Sequence, residues 1–277
     1  MCTRGRCARQ KKGDADHMSH ENRVYRPAVI TVGQEVLYGE RPNDNLLWLL
    51  RAFERSGIPA AVAMVLPDDE VVIAEHLAFL VSKEHHPIFV SGGIGGTHDD
   101  RTRQGIALAL RRPLVRHAEC FEILARRYGA NFTTQRQRMA WLPQGARLIA
   151  NPLGAPGFFL DSVFAFPGFP EMLHPMAQEV LKTLRLTQTP PGRKTLELTL
   201  KIPEGEIAEE VERFAVQHPS VEIGLYPSIT PEGPTVCVRC RGLRDAANDW
   251  EAMHGFLQKL EAFYTVVEPV HEVPTPL

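Results

Sequence analysis

Between Ser91 and Thr102 the chain reads Ser-Gly-Gly-Ile-Gly-Gly-Thr-His-Asp-Asp-Arg-Thr. The segment leaves an apolar run, Ile88-Phe89-Val90, and enters a helical pattern from about Asp100 to Leu110. Gly92, Gly93, Gly95 and Gly96 let the backbone approach a ligand closely, and the helix that follows offers free N–H groups and the positive end of its dipole. That chemistry suits a phosphate, with Thr97 and Thr102 in the same candidate binding set. The competing account is a plain glycine turn in which Asp99 or Asp100 caps the helix. Four glycines in five positions exceed what a turn needs, which favours the cradle. Neither G-x-G-x-x-G nor G-x-x-x-x-G-K-[ST] can be laid on the segment, so neither a dinucleotide fingerprint nor a P-loop is expected.

Carboxylates surround this turn in sequence. Asp99 and Asp100 are candidates for holding a magnesium ion against phosphate oxygens, which takes one or two carboxylates plus waters. Asp68-Asp69 follows a second strand at the corresponding end, where helix capping is an equal alternative for either residue. Glu35, in Gly33-Gln34-Glu35, is a third candidate, and His98 is a candidate phosphate donor or base, or a partner of its neighbouring aspartates. One of Asn43, Asp44 and Asn45 is expected to cap the first helix. His85, His86 and His117 lack metal-ligand spacing and read as surface residues. Cys237 and Cys240 are spaced C-x-x-C but lie in a strand, where residues three apart face opposite sides, so zinc is not expected. No Gly-x-Ser-x-Gly nucleophile elbow appears.

Two proline–glycine clusters, Asn151 to Phe158 and Pro167-Gly168-Phe169-Pro170-Glu171-Met172, each follow a short strand. They read either as rigid turns or as the wall of a pocket for a flat ring, with Phe158, Phe169 or Met172 as apolar contacts.

The elements that must position these residues alternate. Strands at Ala28–Val32, Ala61–Leu66 and Ile88–Val90 are interleaved with helices at Asn45–Gly57, Asp69–Ser82 and Asp100–Leu110, a pattern of βαβ units and a mostly parallel sheet. Helices near Ala118–Tyr128 and Thr133–Trp141, short strands at Arg147–Ala150, Gly157–Leu160 and Val163–Phe166, and a helix Pro170–Leu184 complete a first unit over 25–186. Thr187–Arg193 reads as a linker. Strands Thr195–Ile202, Val221–Tyr226, Pro234–Arg241 and Thr265–Val270, with helices Ile207–Gln217 and Ala246–Phe263, give a βαββαβ order over 194–272. That order is the ferredoxin-like one. The expected class is therefore α/β, a three-layer α/β/α unit followed by a small α+β unit.

With 31 Lys+Arg against 33 Asp+Glu, a formal charge of −2, the chain has no global field to draw in nucleic acid or an anionic membrane. No run approaches the ~18 apolar residues of a membrane span. Residues 1–24 are expected to be a disordered basic tail with no signal-peptide core, and Met18 is an alternative start. Five cysteines fit a reducing interior, so a soluble cytoplasmic protein is expected.

Taken together, Gly33-Gln34-Glu35-Val36-Leu37-Tyr38-Gly39 with Asn45, Asp68-Asp69-Glu70, Gly92 through Thr102, Asn151 through Phe158 and Pro167 through Met172 resemble the molybdopterin-binding (MoaB/Mog-like) domain family. The branch most similar is the N-terminal domain of CinA-like competence/damage-inducible proteins and of eukaryotic FAD synthases. The resemblance covers about Ala28 to Leu184, and the small tail unit looks like the one that follows in this branch. Gly96 stands where the family usually has proline, and Pro67 where it usually has glycine. The turn at Pro167 is one residue shorter than in the common CinA form.

The resemblance implies a divalent metal (magnesium, manganese or cobalt) at Asp68 and Asp100, and phosphates on the Gly92–Thr97 turn. Gly33, Asn45, Pro167 and Gly168 would complete a site whose planar ring lies against the proline–glycine loops. Asp99, Glu35 or His98 would orient a water. Relatives in the CinA and FAD-synthase branch imply hydrolysis of a diphosphate such as ADP-ribose or FAD. Mog-like relatives imply molybdopterin as ligand and a step of molybdenum-cofactor assembly. A non-catalytic nucleotide- or pterin-binding module is the third reading. A homo-oligomer is expected by the same likeness, and nicotinamide-nucleotide deamidation is not.

Overall fold

Ala28–Val32 forms β1, with all five side chains buried. A strand buried on both faces reads as a continuous apolar run, as here. Its side chains alternate: Ile30 and Val32 enter one core and Val29 the other. The computed structural model describes residues 25–184, 193–243 and 246–273. The expected basic tail, and the linker residues 187–192, lie outside these; Arg193 already opens a strand.

After β1 come α1 (Gln34–Leu37), α2 (Asp44–Arg55), β2 (Val62–Leu66), α3 (Glu70–Ser82), β3 (Ile88–Ser91) and α4 (Thr102–Ala109). Then follow β4 (Leu114–Arg116), α5 (Ala118–Tyr128), α6 (Thr134–Gln137), β5 (Trp141–Pro143), β6 (Arg147–Ile149), β7 (Gly157–Leu160), β8 (Val163–Phe166) and α7 (Pro170–Thr183). The central sheet runs β2-β1-β3-β8-β7-β6. Its first four strands are parallel, and β7 and β6 close it antiparallel. Helices α3, α4 and α5 bury Ile73, Leu77, Leu80, Ile106 and Leu124 against one face. Helices α2 and α7 cover the other with Leu49, Phe53, Leu173 and Met176. At the middle of that second layer the Phe89 ring lies 4.9 Å from Phe53 and 5.0 Å from Phe166. The three-layer α/β/α expectation holds.

The second unit contains β9 (Arg193–Leu200), α8 (Ala208–Gln217), β10 (Glu222–Thr230), β11 (Gly233–Leu243), α9 (Ala247–Phe263) and β12 (Val266–Val273). Its antiparallel sheet is ordered β10-β11-β9-β12, the ferredoxin-like arrangement. Leu196, Leu198, Leu200, Val236, Val238 and Cys240 form its inner face against Phe214, Met253 and Leu257. Cys240 is buried and Cys237 only half so, as strand alternation requires. Burial pushes the Cys240 thiol up to about 12.

Several expectations fail. Thr133–Trp141 is not one helix: α6 stops at Gln137, a 3-10 turn covers Arg138–Ala140, and Trp141 begins β5, paired with β4. The expected start of α4 at about Asp100 shifts to Thr102, after Arg101, and the alternative in which Asp99 or Asp100 caps it does not hold, since the helix has no side-chain cap. His85 and His86 are buried rather than on the surface; the His85 ring bonds the Arg26 carbonyl and His86 stacks on Tyr25. His117 is the N-cap of α5, its Nδ1 accepting from the Cys120 N–H. Among the described residues no helix is long and apolar enough to cross a membrane.

Candidate functional site

In an open α/β sheet ligands bind beyond the carboxyl ends of the parallel strands, and here those ends carry the candidate residues. Gly33 follows β1, Asp68 follows β2, Gly92 follows β3 and Pro167-Gly168 follows β8. They open on one crevice of about 710 Å³.

Its floor is a chain of polar contacts. The Ser91 hydroxyl lies 3.5 Å from Thr31 Oγ1, and Thr31 donates to Asn43 Oδ1 at 3.2 Å. Asn43 Oδ1 also accepts from the Leu46 N–H, so Asn43 is the cap of α2. Asn45, two residues on, donates to the Gly168 carbonyl at 2.7 Å and ties the start of α2 to the turn after β8.

The glycine turn is shaped from within. Gly92 has φ +93°, and a Cβ there would stand 2.2 Å from the Val32 carbonyl oxygen, so this backbone crosses β1 closer than any side chain allows. The Thr102 hydroxyl donates to the Gly92 carbonyl at 2.8 Å and is fully buried. Thr102 is therefore a lock beneath the turn and not a ligand contact. Asp100 accepts from the Gly95 N–H (2.8 Å), the Thr97 N–H (2.7 Å) and the Thr97 hydroxyl. Its carboxylate thus holds the loop closed while still lining the crevice. A Cβ on Gly96 would meet the Gln135 carbonyl at 2.2 Å. Glycine there admits α6 against the turn, a packing that proline would block.

Sequence reasoning missed Arg103. It is 3 % exposed and donates to the Gly95 carbonyl at 2.6 Å and to the Arg138 carbonyl. Burial lowers its pKa to about 10, with Asp100 pulling the other way. It remains a buried cation at neutral pH, pinning the turn from below. Nothing in the local pattern distinguishes it from its exposed neighbour Arg101, which pairs with Glu70 at 3.5 Å.

Glu35, Asp44, Asp68, Asp99 and Asp100 line the crevice against two cations, Arg41 and Arg127. The paired aspartates after β2 divide their work. Asp69 caps α3 through the Val71 and Val72 N–H groups, and Asp68 is left for the crevice, where it accepts from the Gln34 N–H at 2.8 Å. Burial pushes the Asp68 carboxyl above its usual 3.8 despite the Gln34 bond, and Glu35, Asp99 and Asp100 push it the same way. The Thr97 hydroxyl is the main influence holding Asp99 below the usual range. His98, by contrast, is 92 % exposed, 3.8 Å from Asp99 and absent from the crevice lining. It is not placed to act on a ligand there.

Phe169 and Met172 line the far wall with Leu153, Gly154 and Ala155. The Asn151 side chain folds that loop by accepting from the Leu153 N–H and donating to the Ala155 carbonyl. Arg127 holds the same loop by the carbonyls of Pro152 and Leu153. Phe158, the third of the candidate wall contacts, is instead 1 % exposed in the core.

Among the described residues no three Asp, Glu, His or Cys side chains close on one point as a preformed metal cage. Hard oxygen donors are nonetheless what the site offers, and magnesium takes one or two carboxylates with waters and phosphate oxygens. A carboxyl raised by burial and three like charges fits a cation partner.

The family model for a probable molybdopterin binding domain matches residues 28–186. The chain belongs to this family. A protein of Aeropyrum pernix is 32 % identical over 251 residues, covering 87 % of this chain and 92 % of that one. A CinA-like protein of Acaryochloris marina is 35 % identical over 160 residues, and the match spans only 38 % of its length. The crystal structure of the protein CinA from Thermoplasma acidophilum superposes with a TM-score of 0.54 at 29 % identity, covering 57 % of this chain and 98 % of that one. Molybdopterin-binding family membership, a CinA-like first unit and an acid-lined crevice thus meet in one domain.

Proposed function

We infer that the crevice hydrolyses a nucleotide diphosphate of the ADP-ribose or FAD kind with a divalent metal. The observation that carries this reading is the combination of a backbone-built anion cradle, Gly92 to Thr97, with Asp68 raised by burial and by the carboxylates of Glu35, Asp99 and Asp100. Asp68 and Asp100 are the residues that would hold the metal, which supplies charge neutralisation at the phosphoryl oxygens. Gly95 and Thr97 already give their N–H groups to Asp100, and Gly92 gives its own to the Phe166 carbonyl, so the N–H groups of Gly93, Ile94 and Gly96 would bind and orient the diphosphate. Glu35 or Asp99 would accept a proton from the attacking water, whose oxygen forms the new P–O bond while the bridging P–O bond breaks toward the departing phosphate. Phe169 and Met172 provide the apolar wall against which a flat ring lies.

The test is AMP release from ADP-ribose, FAD, NADH and ATP with magnesium, manganese or cobalt. Asp68→Ala should abolish release, and Asp99→Asn should lower kcat by about 100-fold or more. His98→Ala should leave it unchanged. No release from any substrate, or release indifferent to chelation, overturns the reading. The family's description favours one second reading, molybdopterin binding; tight pterin binding without diphosphate turnover would establish it instead.

A further inference from the structure

The small net charge averages over an uneven distribution. Residues 25–100, which supply the crevice carboxylates, hold eleven acidic side chains against five basic ones, whereas residues 101–150 hold ten arginines and two glutamates. The lobe from α4 to β5, residues 102–143, holds eight of these arginines and both glutamates, an excess of six positive charges. Two of these arginines serve the crevice, the buried Arg103 under the glycine turn and the exposed Arg127 on the loop carbonyls. Arg111, Arg112, Arg116, Arg126 and Arg138 are exposed, and among the described residues none has a carboxylate partner.

One aromatic side chain stands among them. Strand β5 buries Leu142 and Pro143 but leaves Trp141 47 % exposed. Arg116 is its direct cross-strand partner, and residues opposite one another in an antiparallel pair put their side chains on the same face. The Arg116 guanidinium also lies 4.8 Å from the Phe121 ring. Arg138 precedes Trp141 by one 3-10 turn, and the His117 N–H to Ala140 carbonyl bond, 2.8 Å, holds that turn against the end of β4. Unpaired arginines track a phosphate backbone, and an exposed ring flanked by guanidinium groups stacks an unpaired base. None of Arg111, Arg112, Arg116, Arg138 or Trp141 lines the crevice.

We propose that the antiparallel β4–β5 pair, through Trp141, Arg116 and Arg138, is a binding surface for single-stranded nucleic acid. The exposed ring favours a single strand over a duplex, because a base already paired and stacked in a helix has no free face for Trp141 to stack on. The surface works independently of what the crevice binds.

The experiment is fluorescence anisotropy of labelled oligothymidylate, oligouridylate and a duplex of about 20 nucleotides, titrated with the full chain. Single strands should bind more tightly than duplex, with affinity falling by at least about tenfold between ~50 and ~200 mM salt. Trp141→Ala should weaken binding at least about fivefold and Trp141→Phe should restore most of it, because the stacking face returns. Arg116→Glu with Arg138→Glu should weaken binding further and flatten the salt slope. Arg213→Glu, in the second unit, should change nothing. Circular dichroism and the response of the crevice to divalent cation report whether each variant is folded. Absence of single-strand binding at low salt, or binding that survives Trp141→Ala combined with Arg116→Glu and Arg138→Glu, overturns the proposal. So does a salt-sensitive self-association lost in the same variants, which would assign the lobe to a second copy of the chain.

Discussion

Asp68 and Asp69 are chemically identical neighbours with different work. Asp69 faces the N–H groups that open α3, and Asp68 faces three other carboxylates. The folded-state pKa of Asp68 lies above the unfolded 3.8, so its contribution to stability is fully present below that value and is lost as pH rises through the raised pKa. Asp68→Asn keeps an acceptor for the Gln34 N–H and removes the charge. Its Tm should exceed that of the wild type at neutral pH and coincide with it in acid below the unfolded pKa, read by calorimetry across pH. Millimolar divalent cation should raise the wild-type Tm and leave the variant's alone, because only a bound state adds stability. Much of the site was legible at this scale. Glycines and aspartates in that density have few other uses, so Gly92 to Gly96, Asp68, Asp99 and Asp100 stood out. The sequence leaves His98 open between a base and a partner of Asp99, and sets Thr102 among the ligand contacts, because the conformation of one turn decides their exposure and type and spacing do not encode it. Arg103 was invisible because its function is to be buried where arginine seldom is.

At the scale of elements, the glycine turn is held by geometry more than by contacts. Gly39 and Gly92 both have positive φ, +73° and +93°, but the space at Gly39 is open while a Cβ at Gly92 would stand 2.2 Å from the Val32 oxygen. Gly39→Ala should cost about 1 kcal/mol, the strain of the backbone alone. Gly92→Ala should cost well beyond that, because β1 and β3 must also part, and urea denaturation of the pair separates the two terms. Asn43→Ala should cost about 1 kcal/mol for the lost cap of α2, and it also frees Thr31 from its acceptor. The long elements were legible from periodicity: α2, α3, α5, α7 and every strand of the central sheet fell where the apolar pattern put them. The β4–β5 pair was not, because α5 and α6 separate its strands in sequence and no local turn signal joins them. Its second strand was absorbed into a helix because Thr133 to Gln137 does begin as one.

The whole molecule has separate cores, and the buried cluster of the second unit shares no residue with the two that sandwich the first sheet. Leu198→Ala, in the middle of β9, should therefore destabilise the second unit by about 2–5 kcal/mol while cation binding in the crevice is unchanged, two readouts available from one thermal titration. The βαββαβ order was legible because its strands alternate cleanly, whereas the net charge concealed the basic lobe by averaging it with acidic flanks. The strand order has a consequence in time. In the sheet β8 lies beside β3, and Asn45 waits for the carbonyl of Gly168, 123 residues downstream. A chain emerging from the ribosome therefore displays Asp68, Asp99 and Asp100 to solvent, on strands already able to pair, long before the fourth wall has been synthesised. Until Phe166 and Gly168 are made and slot in, the acidic residues are neighbours without a cavity. The site is closed by nearly the last residues of its own domain, so a truncated product retains the motifs and lacks the crevice.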